Sequence, residues 1–252
     1  RVRTRLLAAA KRVAPPVLLF AALVLAWHGT VVALGIPAIV LPPPAAVADA
    51  LVARGATLLA DAAVTGATAA TGLLAGCVVG AVLAFAMTYS RTAARIALPY
   101  VIALRIAPLI AIAPLVFLWF GRGVPARAAL VATLALFPMT VATLDGLRST
   151  PEGYLALARS VDASKPSVFL RVRVPAAAPS VFAGLKLAAT LSIVGAVVAE
   201  FVTLRAGIGY RVFVTAERLR TAETYAALVV LSALGLAFYL VPVLLERAVW
   251  TE

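Results

Sequence analysis

Few residues in this chain can do covalent chemistry, and their spacing does not assemble a site for it. His28 is the sole histidine and Cys77 the sole cysteine. The lysines are Lys11, Lys165 and Lys186, and none follows the glycine pattern of a phosphate-binding loop. No nucleophile stands beside a base, and no histidine cluster or carboxylate pair reads as a metal or acid–base site. An enzyme is therefore not expected, and neither a cofactor nor a metal is implied. Charges fall within the apolar runs instead, Arg105, Lys186 and Glu200 among them, and Arg105 and Glu200 are the candidates for a role there. Charge at that depth is costly and marks either a pathway or a packing contact. Arg105 is expected to snorkel inward or to face protein or a water-filled cavity.

The elements that must position these residues are membrane helices. The chain is 64% hydrophobic and 13% charged, against roughly 25% charged in a soluble domain, so it cannot cover itself with polar surface. Its apolar runs recur at about 20 residues, the length of a transmembrane helix. They are too long, and too lacking in alternation, for the strands of a closed barrel. Six spans are expected: Val13–Leu34, Val64–Thr88, Ile96–Phe120, Ala126–Leu144, Ser180–Phe201 and Thr224–Leu245. The fold class is all-α and polytopic, a single transmembrane domain over residues 1–252. Net charge is +12, but removing the spans leaves no soluble module to bind nucleic acid.

Orientation follows from where the cations lie. Arg1, Arg3, Arg5, Lys11 and Arg12 precede the first span and place the N-terminus in the cytoplasm. The first apolar run exceeds a signal-peptide core and lacks a clean cleavage site, so it is read as a retained span. Six spans then return the C-terminus to the same side. Arg91, Arg95 and the cations of a long loop fall inside, and they outweigh Arg54, Arg122, Arg127 and the outer-loop cations Arg205, Arg211, Arg218 and Arg220. Gly72, Gly76 and Gly80 share one face of the second span and predict close helix packing there. A short surface helix is expected over Ala46–Leu59.

The long inside loop, Asp145–Lys186, is basic and punctuated by Pro151, Pro166, Pro175 and Pro179. Proline is accepted in a helix's first turn and opposed in its interior. The pattern predicts two short helices, Glu152–Val161 and Lys165–Val174, joined by a bend at Asp162–Ser164. Both carry apolar surface beside the cations. Such a pair suits either lipid headgroups or a soluble partner.

The segment LRSTPEGYLALARSVDASKPSVFLRVRVPAAAPSVFAGLKLA resembles the cytoplasmic signature of the permease subunits of binding-protein-dependent ABC importers. That signature has the form E-A-A-x-x-x-G followed by a proline. Its first positions fall on Ala156, Leu157 and Ala158, its glycine on Asp162, and its later L-P-x-A-x-P on Val174–Pro179. The usual glutamate is thus Ala156 and the usual glycine Asp162, a residue that tolerates the left-handed backbone better than most. PLIAIAPLVFLWFGRG and GLKLAATLSIVGAVVAEFVTLRAGIGY resemble the third and fifth spans of the sulfonate/nitrate/taurine-type permeases, and the likeness covers about residues 35–250. The wording of the fifth span leans toward relatives that carry vitamin precursors.

The resemblance implies a permease subunit in the cell membrane whose residues 148–179 form a coupling loop between spans four and five. Ala156, Leu157, Ala158, Asp162 and Phe169 would meet a separate ABC ATPase pair, which holds all the ATP chemistry. A second permease copy would complete the pathway, and an extracytoplasmic solute-binding protein would deliver a small organic anion or vitamin precursor. Membrane lipid surrounds it. A secondary transporter, needing an intramembrane ion site, and a structural membrane protein without transport activity are the competing classes.

Overall fold

A computed structural model describes residues 2–203 and 205–249, with side chains from residue 14 onward. Arg1, and the side chains of Arg3, Arg5, Lys11 and Arg12 on which the N-terminal orientation rested, lie outside the described residues, as does Trp250. Among the described residues every regular element is helical: α1 (Val2–Ala33), α2 (Pro44–Ala53), α3 (Gly55–Tyr89), α4 (Arg91–Ile106), α5 (Leu109–Phe120), α6 (Val124–Arg148), α7 (Glu152–Ser160), α8 (Lys165–Val168), α9 (Val174–Thr203), α10 (Ile208–Glu217) and α11 (Thr221–Val249). Five of the continuous helices are long and apolar enough to cross a membrane, and α4 with α5 makes a sixth if that bent pair is one span.

The chain forms two compact units. One comprises residues 1–58 and 211–229. Within it α1 ends on Gly35, at φ 59°, with the Gly35 N–H bonded to the Val32 carbonyl and the Ile36 N–H to the Val31 carbonyl. That paired closure needs a left-handed residue, which glycine supplies without a Cβ penalty. The Trp27 and Tyr225 rings stack at 5.7 Å, and the Thr221 hydroxyl donates to the Ile39 carbonyl at 2.6 Å. Pro44 opens α2, where its missing N–H costs nothing. The surface helix is thus shorter than expected: it stops at Ala53, and after Arg54 the chain begins α3 at Gly55.

The other unit comprises residues 59–210 and 230–252. Its centre is the closely packed α6–α9 pair. Small residues make that approach possible. A Cβ on Gly184 would lie 2.5 Å from the Ala142 Cβ, and one on Gly195 would lie 3.0 Å from the Val131 Cα. The expected glycine face of α3 packs on α6 in the same way. A Cβ at Gly72 would meet Val131 at 2.3 Å, and at Gly76 and Gly80 it would meet the Ala132 and Leu136 carbonyls at 2.7 and 2.9 Å. Alanine at any of these would force the helices apart.

Two span expectations are corrected. The third span is not one straight helix over Ile96–Phe120: α4 and α5 meet at 105°. Pro108 explains the break, because proline has no N–H to donate and biases the preceding residue away from helix. Ala107 accordingly sits at φ −57°, ψ 131°. Pro99 and Pro114, by contrast, are carried inside α4 and α5.

The second correction concerns the loop. Lys165–Val174 is not a separate helix ending before Pro175. Helix runs unbroken from Lys165 to Thr203, 39 residues, through a π-helical turn at Phe169–Arg173. The Val174 N–H reaches back five residues to the Phe169 carbonyl. Widening the turn just ahead of Pro175 relieves the clash its ring would make with an α-helical carbonyl. The stretch between α6 and this long helix is therefore residues 149–164, much shorter than 148–179. At 1.5 Å per residue the long helix measures about 58 Å, well beyond the roughly 30 Å of a bilayer's hydrocarbon.

Candidate functional site

The α7 segment begins after Pro151, with Glu152 in its first turn and Arg159 in its last, where each charge complements the helix dipole. The two side chains also pair with one another on the exposed surface. α7 ends with its Asp162 N–H on the Arg159 carbonyl at 3.1 Å and its Ala163 N–H on the Ala158 carbonyl at 3.0 Å. That is a Schellman closure, and Asp162 occupies its left-handed position at φ 50°. The bend expected at Asp162–Ser164 is thus built by Asp162 itself, at the position where the signature carries glycine.

The signature residues do not share one surface. Ala156 is exposed and Leu157 is 64% exposed, while Ala158 is buried at 8% and faces the protein. The outward side of α7 is formed by Tyr154, Leu157 and Val161, all well exposed. Their i, i+3, i+7 spacing makes them one apolar stripe along the helix. Sequence reasoning grouped Leu157 with Ala156 and Ala158 as the contact surface. The register of Tyr154 and Val161 with it was available from the same spacing.

Phe169 is half-buried and turned toward α3. Its ring meets Phe85 edge-on at 5.6 Å and Tyr89 at 4.8 Å. It therefore braces the long helix on the end of α3 and is not part of the outward stripe. Beside this contact lies a cleft of about 430 Å³ that includes Leu155, Arg159, Lys165 and Arg173 in its walls.

Glu200 lies near the opposite end of the long helix and is fully buried. Its Oε2 accepts the Gly209 N–H at 2.8 Å, at the start of α10. The neighbouring Ile208 N–H goes to the Thr65 hydroxyl at 2.8 Å, and that hydroxyl donates to the Asp61 carbonyl at 3.2 Å. Two of the N–H groups that open α10 are thus satisfied by side chains from α9 and α3. Arg127 is within electrostatic range of Glu200. The Glu200 Oε1 and Arg127 Nε atoms are each buried without a hydrogen-bond partner among the described residues. Gly207 closes over the carboxylate so tightly that a Cβ there would lie 2.2 Å from the Glu200 Cδ, and its φ of 108° excludes other residues anyway. The Gly207–Gly209 pair is a signal the sequence held but whose partner, Glu200, it did not identify.

Arg105 is exposed in the last turn of α4, just before the break at Pro108. Its guanidinium stands over the Phe137 ring at 5.9 Å. The structure gives Arg105 and Glu200 separate neighbours and does not join them. Lys186, a further charge within a span to which sequence reasoning gave no role, donates from α9 to Glu246 of α11.

Residues 72–251 match the family described as the binding-protein-dependent transport system inner membrane component. A probable ABC transporter permease protein of Haemophilus influenzae is 33% identical over 95% of this chain and 98% of its own. The formylaminopyrimidine transport permease protein ThiX of Halalkalibacterium halodurans is 30% identical over 88% of each chain. A putative aliphatic sulfonates transport permease protein, SsuC of Escherichia coli, is 36% identical over 57% of this chain and 55% of its own. Among solved structures, one described as an amino acid ABC transporter with histidines superposes at a TM-score of 0.65. It shares 18% identity and covers 79% of this chain and 96% of its own, so it speaks for the fold alone. Permease subunits of this kind are not catalysts, and ATP hydrolysis belongs to a separate subunit. With its apolar helices and these matches taken together, the chain belongs to the inner-membrane permease family of ABC importers.

Proposed function

We propose that this chain forms half of a substrate pathway and that α7 docks into a groove on a separate ATPase. The observation that carries the reading is the apolar stripe Tyr154, Leu157 and Val161, standing exposed beside the left-handed turn at Asp162. A water-facing stripe of that kind is stabilised by a partner that buries it, and the flanking Arg159 and Lys165 would orient the approach. Closure of the ATPase dimer would push α7. The push would pass through the Phe169 brace and the 39-residue helix to Glu200, at the far end. Alternating access then follows as a two-state rearrangement of packed helices.

In this reading α4 and α5 together make one bent span, giving six, with both termini and α7 in the cytoplasm. A second copy of the chain would complete the pathway, and an extracytoplasmic binding protein would supply high-affinity selection. Relatives named for formylaminopyrimidine, riboflavin and aliphatic sulfonates support a small organic anion or vitamin precursor as the substrate. ATP-dependent accumulation on co-expression with the ATPase and binding protein tests the proposal. Accumulation without either partner would instead indicate a secondary carrier. A ligand screen on the cognate binding protein would identify the solute.

A further inference from the structure

The end of α3, the first turns of α4 and the end of α6 enclose a cleft of about 450 Å³ lined by Met87, Thr88, Arg91, Ala94, Arg95 and Arg148. Half of its lining residues are arginines and none is acidic. Among the described residues, none of the three guanidiniums has a carboxylate partner. Arg148 donates once to the Met87 carbonyl at 3.2 Å, which holds its guanidinium at the wall and uses one of its five N–H donors. The hydroxyl in the lining already donates elsewhere: Thr88 gives its proton to the Ala84 carbonyl. Arg91, Arg95 and Arg148 thus line the cleft with guanidinium donors, the chemistry that recognises phosphate.

We infer that this cleft binds the phosphate headgroup of an anionic phospholipid. What favours a lipid over a free anion is the surface leading away from the cleft. Directly after Arg95, α4 presents Ile96, Tyr100 and Leu104, exposed and spaced i, i+4, i+8. That stripe would carry an acyl chain along α4, which together with α5 forms a bent pair apolar enough for the membrane, while Arg91 and Arg95, one turn apart, take the headgroup. Basic pockets between membrane helices are general sites for acidic headgroups. The cleft also lies against the α3 end that Phe169 packs on, with Thr88 lining both it and the cleft beside α7. A bound headgroup would therefore stiffen the part of α3 that braces the long helix. The inference needs only that the chain spans a membrane, and it stands whether or not α7 docks on an ATPase.

The test compares retention of phosphatidylglycerol and phosphatidylcholine by the purified full-length chain in native mass spectrometry, with inorganic phosphate as a separate arm. The wild type should retain phosphatidylglycerol selectively, and R91Q/R95Q should bind it about 30-fold more weakly, at the usual strength of two basic residues near an acidic surface. R91K/R95K should keep most of the binding, and the control R122Q/R205Q should keep all of it. Equal retention by R91Q/R95Q, or an equal loss in the control, would overturn the site. Stabilisation by inorganic phosphate equal to that by phosphatidylglycerol would overturn the lipid. If R91Q/R95Q does not fold, a photoreactive phosphatidylglycerol on the wild type decides. Cross-links at Ile96–Tyr100 are expected, and their absence there contradicts the inference.

Discussion

The Phe169 ring lies 4.8 Å from the Tyr89 ring, joining the π-helical turn that opens the long helix to the last residue of α3. Phe85 closes the other side at 5.6 Å. The beginning of the long helix is therefore held to α3 by an aromatic cluster, and α7 hangs from that anchorage by the short turn at Asp162. In the proposed reading, a load on α7 would reach the spans through this cluster.

Removing the brace should uncouple the two processes it links. Phe169→Ala forfeits two aromatic contacts worth about 0.5–1.5 kcal/mol each beyond their buried area. The ATPase should still co-purify, but the solute moved per ATP hydrolysed should fall. Simultaneous measurement of hydrolysis and uptake in proteoliposomes checks this. An unchanged ratio would mean that Phe169 only fills space.

The turn at Asp162 gives a prediction in the opposite direction. A left-handed backbone costs an ordinary residue about 1–2 kcal/mol, and glycine avoids that cost. Asp162→Gly should therefore preserve or slightly raise thermal stability and keep uptake. Asp162→Val, β-branched in a position at φ 50°, should lower both. Melting curves and uptake rates on the same preparations separate the pair.

At the far end, the Glu200 carboxylate is the acceptor for the Gly209 N–H. Glu200→Gln retains a carbonyl oxygen for that bond and should be mild. Glu200→Ala leaves a buried N–H unmatched, at about 1–3 kcal/mol. Gly207→Ala should be worse than Glu200→Gln, since it adds a Cβ 2.2 Å from the carboxylate carbon at a φ of 108°. Detergent-stability assays should rank Glu200→Gln above both other variants.

Arg105 stands against Phe137 and is exposed, an arrangement that suits packing better than substrate binding. An exposed cation–π contact contributes about 0.5–1 kcal/mol. Arg105→Gln should lower stability slightly and leave maximal uptake and its concentration dependence unchanged. A shift in the concentration dependence alone would assign its charge to the pathway.

Much of the helical layout is legible from run length, because hydrocarbon imposes its thickness on any helix that crosses it. The α3 glycine face was legible for the same reason that it packs: three glycines at four-residue intervals face one side. The breaks were harder. Pro99, Pro108 and Pro114 look alike in sequence, yet only Pro108 sits at the 105° bend. Local propensity does not distinguish a proline whose lost bond is tolerated from one that ends the helix. Pro175 misled in the opposite sense, since a π-helical turn let the helix pass through it. Around α7, the bend at Asp162–Ser164 was legible from the proline pattern, and the signature's glycine position falls on it. That Ala158 faces inward and Phe169 grips α3 depended on tertiary packing that spacing alone does not encode.

The central claim, that α7 is the contact through which an ATPase drives the spans, is tested most directly at Leu157. Leu157→Asp places a carboxylate in the middle of the Tyr154–Leu157–Val161 stripe. If that stripe is buried against a partner, a charge left unpaired there costs several kcal/mol. Because Leu157 is 64% exposed in the chain itself, the substitution should leave folding and membrane insertion intact. Co-purification of the ATPase should be measured together with uptake, with surface expression as the reference. The account predicts normal expression with loss of both ATPase association and transport. Normal association and normal transport in L157D would contradict it.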